Sequence, residues 1–126
     1  MKIRRPNLTR GLCLCLAGIV VASCTMQSRF SPLGGTVPPR STSSRVEVFQ
    51  TGTPTRPYER VSRLDVHLEK TALVTSTFSD ALPELEKQAR LSGADAIMDV
   101  HETRSSLNET RIYHVTATGI RYKDSR

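Results

Sequence analysis

Residues 45–126 predict an α+β domain, a small β-β-α-β-β arrangement with one helix packed on a sheet. Three observations carry that expectation. Residues 58–69 alternate, with Leu64, Val66 and Leu68 on one face and Arg63, Asp65, His67 and Glu69 on the other, which is the period of a half-buried strand. Residues 79–92 set Ala81, Leu82, Leu85 and Ala89 at helical spacing and stop at Gly93. Two further apolar runs, 94–102 (ADAIMDVHE) and 111–123 (RIYHVTATGIRYK), flank the polar connector 105–109 and read as a hairpin.

Each element has a local reason. Residues 45–49 (RVEVF) alternate and form a short first strand, and GTPTRP at 52–57 punctuates the chain before the second. The β-branched stretch 71–77 (TALVTST) leaves strand and loop both open. In the helix, Pro83 is compatible with a first turn, which points to Asp80 as the N-cap. Glu84, Glu86, Lys87 and Arg90 supply the solvated side. Gly93 closes the helix in the left-handed conformation, and Asp95 is expected to hold the backbone of the tight turn into the next strand.

Upstream of residue 45 the patterning disappears. Residues 25–44 (TMQSRFSPLGGTVPPRSTSS) are dominated by Gly, Pro, Ser and Thr without apolar periodicity, the composition of a flexible tether. With Cys24 this tether is assigned 24–44 and reaches about 66–72 Å when fully extended.

Residues 1–23 are different again. Lys2, Arg4, Arg5 and Arg10 precede the uncharged run GLCLCLAGIVVA at 11–22. Twelve residues are too few to cross a hydrocarbon core about 30 Å thick, and they match the apolar region of a signal peptide. The run ends in Val21-Ala22-Ser23-Cys24, which resembles the lipobox of bacterial lipoproteins. That resemblance implies removal of 1–23, a diacylglycerol thioether on Cys24 and acylation of its freed amine. It implies a membrane partner held through acyl chains on Cys24. Thr25, where inner-membrane retention calls for Asp, implies the periplasmic face of the outer membrane. Cys13 and Cys15 would leave with the signal, so an internal disulfide is excluded.

Charge follows the same division. Of 18 Lys and Arg, four lie in 1–23 and two in 25–44, so the 12 that remain balance the 12 acids of 45–126. The net +6 belongs to the N-terminal segments. A basic groove on the domain, and with it a nucleic-acid partner, is not expected.

The run from Leu85, LEKQARLSGADAIMDVHETRS, together with VTATGIRYK, resembles the YbjQ-type family. Gln88, Ala89, Gly93, Ala94, Asp95, Ala96 and Ile97 carry the resemblance, with Thr118, Ile120 and Arg121 in the closing strand. Ala117-Thr118-Gly119 departs from the family's Gly-Thr-Ala order. The layout is also similar to RcsF-type outer-membrane lipoprotein domains. Their core disulfides have no counterpart here, so the resemblance does not extend to their sensor function.

YbjQ-type domains are associated with heavy-metal binding, and the available ligands are His67, Asp99, His101, Glu102 and His114. Strand alternation puts Asp99 and His101 on one face. His114 joins them if the hairpin sets 101 across from 114, which makes Asp99, His101 and His114 the candidate metal set. The chain holds no HxxxH, HExxH or cysteine pair, and polar residues on the wet face of a sheet explain the same pattern. No cofactor is expected. No nucleophile sits beside a base, and G-x-S-x-G is absent, so catalysis is not expected either. The expected function is a lipid-anchored, non-enzymatic interaction or structural module whose partner is another envelope protein or a second copy. The alternative is a lipoprotein that binds a metal or small ligand.

Overall fold

The computed structural model describes residues 24–124. It holds β1 (Thr25–Pro32), β2 (Glu47–Val48), β3 (Tyr58–Thr71), α1 (Phe78–Leu91), β4 (Ala96–Leu107) and β5 (Thr110–Tyr122). One five-stranded sheet runs in the order β1-β3-β5-β4-β2, and α1 packs against it. All pairings are antiparallel except β2 with β4. The α+β class and the single helix on a sheet are as expected. Residues 1–23, expected from the sequence to be a signal peptide, lie outside the described residues.

The tether does not survive as a tether. Residues 25–32 pair with β3 from Thr25↔Glu69 to Pro32↔Ser62 and extend the sheet by one edge strand. Phe30 packs against the main core, and so does Val37 from the loop that follows. Farther along, the Arg40 N–H donates to the Arg90 carbonyl at 2.8 Å. The domain therefore begins at residue 25, not 45. Met26, Ser28 and Phe30 alternate with Gln27, Arg29 and Ser31, so the period-2 signal was present. Ser28 on the inward face weakened it.

The inward face of the sheet supplies Leu64, Val66 and Leu68 from β3, Ile97 from β4, and Tyr113, Val115 and Ala117 from β5. Ala81, Leu85 and Ala89 of α1 close over them. Alanine at two of the three helix positions lets the axis approach the strands closely. Gln88, also buried, donates its Nε2–H to Ser28 Oγ at 2.9 Å, and Ser28 donates to Glu84 Oε2 at 2.6 Å. The helix is thus tied to the edge strand by polar as well as apolar contact. On the opposite face a smaller cluster forms from Ala96, Met98 and Ile120 beneath Phe49, Tyr58 and Tyr122.

Helix α1 starts earlier than its proline suggested. Thr77 is the N-cap, and the Asp80 carboxylate reaches back to accept the Thr77 N–H at 2.7 Å, so Asp80 is the third helical residue. That contact and nearby Lys70 lower the Asp80 pKa against a smaller opposing desolvation. Pro83 lies in the second turn. Its missing N–H leaves the Ser79 carbonyl without its usual helical partner, at a position exposed to solvent. The C-terminus ends as expected. Gly93 has φ +80°, its N–H donates to the Arg90 carbonyl at 3.1 Å, and the Ala94 N–H donates to the Ala89 carbonyl at 2.9 Å. This pair of bonds is a Schellman motif.

The hairpin is longer than the apolar runs implied. Strand β4 continues to Leu107, and only Asn108 and Glu109 make the turn, with Asn108 at φ +53°. Asparagine is among the few residues that accept that conformation readily. The polar stretch assigned to a connector is strand because β5 supplies its ladder on one side.

Candidate functional site

Cys24 is exposed and directly precedes β1, so any group attached to it is joined to the sheet without a spacer. In register, Thr25 faces Glu69 near the end of β3, and Thr71 faces Thr110 beside the hairpin turn. Cys24, the β3–α1 loop and the hairpin turn therefore occupy one end of the sheet.

The candidate metal set is not assembled. A bulge between Met98 and His101 places Asp99 and Val100 against one residue of β5 and reverses the alternation beyond it. Asp99 adopts φ +52°, and its Oδ2 lies 3.1 Å from Arg60 Nη2. His101 faces Thr116 rather than residue 114, and Thr103 takes the place opposite His114. Among the described residues no three His, Cys, Asp or Glu groups converge to hold a metal ion. The turn at Asn108 and Glu109 sets this register, so His101 shares the outer face with His114 but lies two places along it, and Asp99 sits in the bulge beyond.

A different cluster forms on the outer face. His67 and His114 stand directly across β3 and β5, with ring centroids 5.8 Å apart. Asp65 Oδ1 lies 3.0 Å from His114 Nε2, and Glu69 Oε1 lies 2.9 Å from His67 Nε2. From β1, Gln27 faces His67 in register, and Arg29 Nη2 comes within 3.8 Å of Asp65 Oδ2. Each imidazole thus has its own carboxylate, which orients the rings on an open polar surface. His67 and His114 were each visible in the sequence, but their juxtaposition depends on register. Gln27 and Arg29 were missed because their strand was assigned to the tether.

The turn around Gly93 is where expectation and structure meet most closely. A side chain at Gly93 would point at the Pro38 carbonyl oxygen, 2.6 Å from an ideal Cβ, and at Val37 Cγ1, 2.7 Å away. The glycine is therefore required by conformation and by the loop that crosses it. Asp95 does not hold its own turn. Its Oδ2 accepts the Tyr122 N–H at 3.0 Å, and Arg40 Nη2 lies 2.8 Å from Oδ1. The carboxylate joins β5 to the segment once assigned to the tether.

Two phenols also pair with carboxylates. Tyr113 donates to Glu102 Oε2 at 2.5 Å, and Tyr122 donates to Glu47. Burial, then the Glu47 carboxylate, push the Tyr122 pKa up to about 12, and burial and Glu102 raise Tyr113 further still. A phenol whose folded-state pKa is raised contributes stability in full below its ordinary value, about 10. That contribution is lost as pH rises from there through about 12. Stability should therefore fall over this interval, and Tyr122→Phe should make the fall shallower. Urea midpoints at pH 9, 10.5 and 11.5, with phenolate absorbance on the same samples, check this. A single phenolate step centred near 10 in the folded protein would contradict it.

Comparison with protein-family models, with curated proteins and with solved structures finds no match to this chain.

Proposed function

We propose that this chain is a lipoprotein, anchored through Cys24 in the periplasmic face of the outer membrane, whose domain is a non-catalytic module at that surface. The observation that carries the reading is the Val21-Ala22-Ser23-Cys24 box at the end of a twelve-residue apolar run. The exposure of Cys24 supports it, since a lipidated sulfur must lie outside the fold. Three acyl chains, at about 0.8 kcal/mol per buried CH₂, anchor far more firmly than one myristoyl group. Thr25 after the cysteine favours the outer membrane by the same lipoprotein resemblance. The YbjQ-like GADA turn supports a small structural module, and the open polar face suits contact with another envelope protein.

The test is fractionation of intact cells. The chain should partition into detergent and run as a processed form beginning at Cys24. Cys24→Ser should accumulate unprocessed precursor. Unchanged mobility and unchanged membrane association in that variant would remove the reading.

A further inference from the structure

From the placement of Cys24 we infer that the end of the sheet beside it is itself a membrane-contacting surface, with the β3–α1 loop and the hairpin turn resting in the lipid interface. The inference rests on lipidation of Cys24 and adds a second contact to it. Among the described residues six large apolar side chains are conspicuously exposed, and four of them belong to this end. Leu73 is 97% exposed and Leu107 66%, with Val74 and Met26 nearly half exposed. Register places them together. Met26 faces Leu68, Leu73 follows two residues after Thr71, and Thr71 and Leu107 both flank Thr110. With strands about 4.8 Å apart, these side chains span a patch a few strands wide.

Single exposed leucines are ordinary on protein surfaces, but apolar residues gathered at one end mark a contact. The occupant is set by the neighbour in the chain. Cys24 is separated from β1 by no spacer, so its acyl chains hold this end of the domain against the bilayer. Leu73, in a loop free of the sheet, then reaches the interface without any change of fold.

The polar surroundings suit headgroups rather than a charged partner. A shallow groove of about 370 Å³ lies between the loop and the hairpin, lined by Thr75, Ser76, Ser106, Arg104 and Arg111. Lys70 is matched by Asp80 at 3.6 Å and Arg104 by Glu102 at 3.2 Å. Arg111 has no ion-pair partner among the described residues, and Glu109 at the turn offsets its charge. This end is close to neutral, so the contact is apolar in origin and needs no anionic lipid. It should also persist at high salt, unlike binding through a basic patch.

The test uses the full chain, expressed with its signal segment, extracted in detergent and reconstituted into phosphatidylethanolamine–phosphatidylcholine vesicles with brominated acyl chains. In the lipidated form the Cys24 sulfur is alkylated, so Leu73→Cys leaves one thiol for an environment-sensitive dye. Thr55→Cys, in the exposed loop before β3, is the control at the opposite end of that strand. Fourteen residues at about 3.3 Å each put roughly 45 Å between the two sites. The dye at 73 should show blue-shifted emission, quenching by bromolipid and protection from aqueous iodide, all unchanged in 0.5 M salt. The dye at 55 should behave as in water.

Equal iodide quenching at 73 and 55, on protein whose mass shows the lipid on Cys24, would overturn the contact and leave the anchor standing. So would protection of 73 in native envelopes but not in vesicles, which would assign the patch to a protein. A chain without lipid on Cys24 would overturn the anchor and this contact together.

Discussion

Deleting residues 24–44 is expected to abolish cooperative unfolding of the domain. Strand β1 contributes eight register pairs to β3, and without it β3 becomes an edge that carries the fully buried Leu64, Val66 and Leu68. Phe30 and Val37 leave the core with the deleted segment. Burying a phenylalanine fully contributes about 1.5–3 kcal/mol. Buried Gln88 loses its Ser28 partner, and Asp95 loses Arg40. An unsatisfied buried polar group costs about 1–3 kcal/mol. Together these losses are comparable with the whole net stability of a small domain, about 5–15 kcal/mol. Urea unfolding of 24–126 carrying Cys24→Ser, against 45–126, reads the difference by circular dichroism. A sigmoidal transition at the same midpoint in 45–126 would mean that β1 is dispensable. Phe30→Ala should lower the midpoint in the same direction by a smaller amount, because Phe30 is only partly buried.

Gly93→Val should be the most damaging single substitution, and Gly119→Ala should come close behind it. At Gly93 an L-residue costs about 1–2 kcal/mol for the left-handed conformation alone. Valine adds overlap with the Pro38 carbonyl, which is backbone and cannot rotate away. A total of about 3 kcal/mol or more follows when overpacking is included. Gly119 lies within a strand and needs no special conformation, so its sensitivity comes from packing alone. A Cβ at 119 would overlap Ser62 Oγ and press on Ala94 Cβ at 3.1 Å.

Ser62 and Ser92 share a buried hydrogen bond of 2.7 Å there, which joins β3 to the C-cap of α1. Displacing it should cost about 1–3 kcal/mol. Ser92 also donates to the Ala89 carbonyl at 2.9 Å, so removing the Ser62 hydroxyl leaves it with a partner. Ser62→Ala should therefore rescue part of the Gly119→Ala loss. A double-mutant cycle of urea midpoints measures this, and strictly additive losses would refute the overlap.

The legible parts of the fold share one property: their signal is local. The alternation of 58–69 needs only neighbouring residues, and so does the apolar stripe from Ala81 to Ala89. Gly93 was legible as a C-terminal stop because a Schellman turn is completed within six residues. The N-cap is Thr77 rather than Asp80, and the Thr77–Asp80 spacing is a capping-box signature that the chain itself displays, whereas Pro83 alone points to a later start. Asp95 was legible as a polar anchor but not in its partners, since Arg40 lies 55 residues away.

By itself, then, the sequence determined the α+β class, the helix and its stop, the charge balance of residues 45–126 and the box that ends at Cys24. Tertiary structure decided where the domain begins, which side chains meet on the outer face and which glycines have no room. Thr25–Pro32 is too polar to bury a face of its own, and it becomes a strand only because β3 offers an open ladder and α1 offers Gln88 and the core. His67 and His114 come together because a register holds them in line. Asp99 and His101 do not join them, because the turn at Asn108 and Glu109 sets His101 across from Thr116 and Asp99 lies in the bulge beyond it. Register is a property of paired strands, and a period counted along one strand does not contain it.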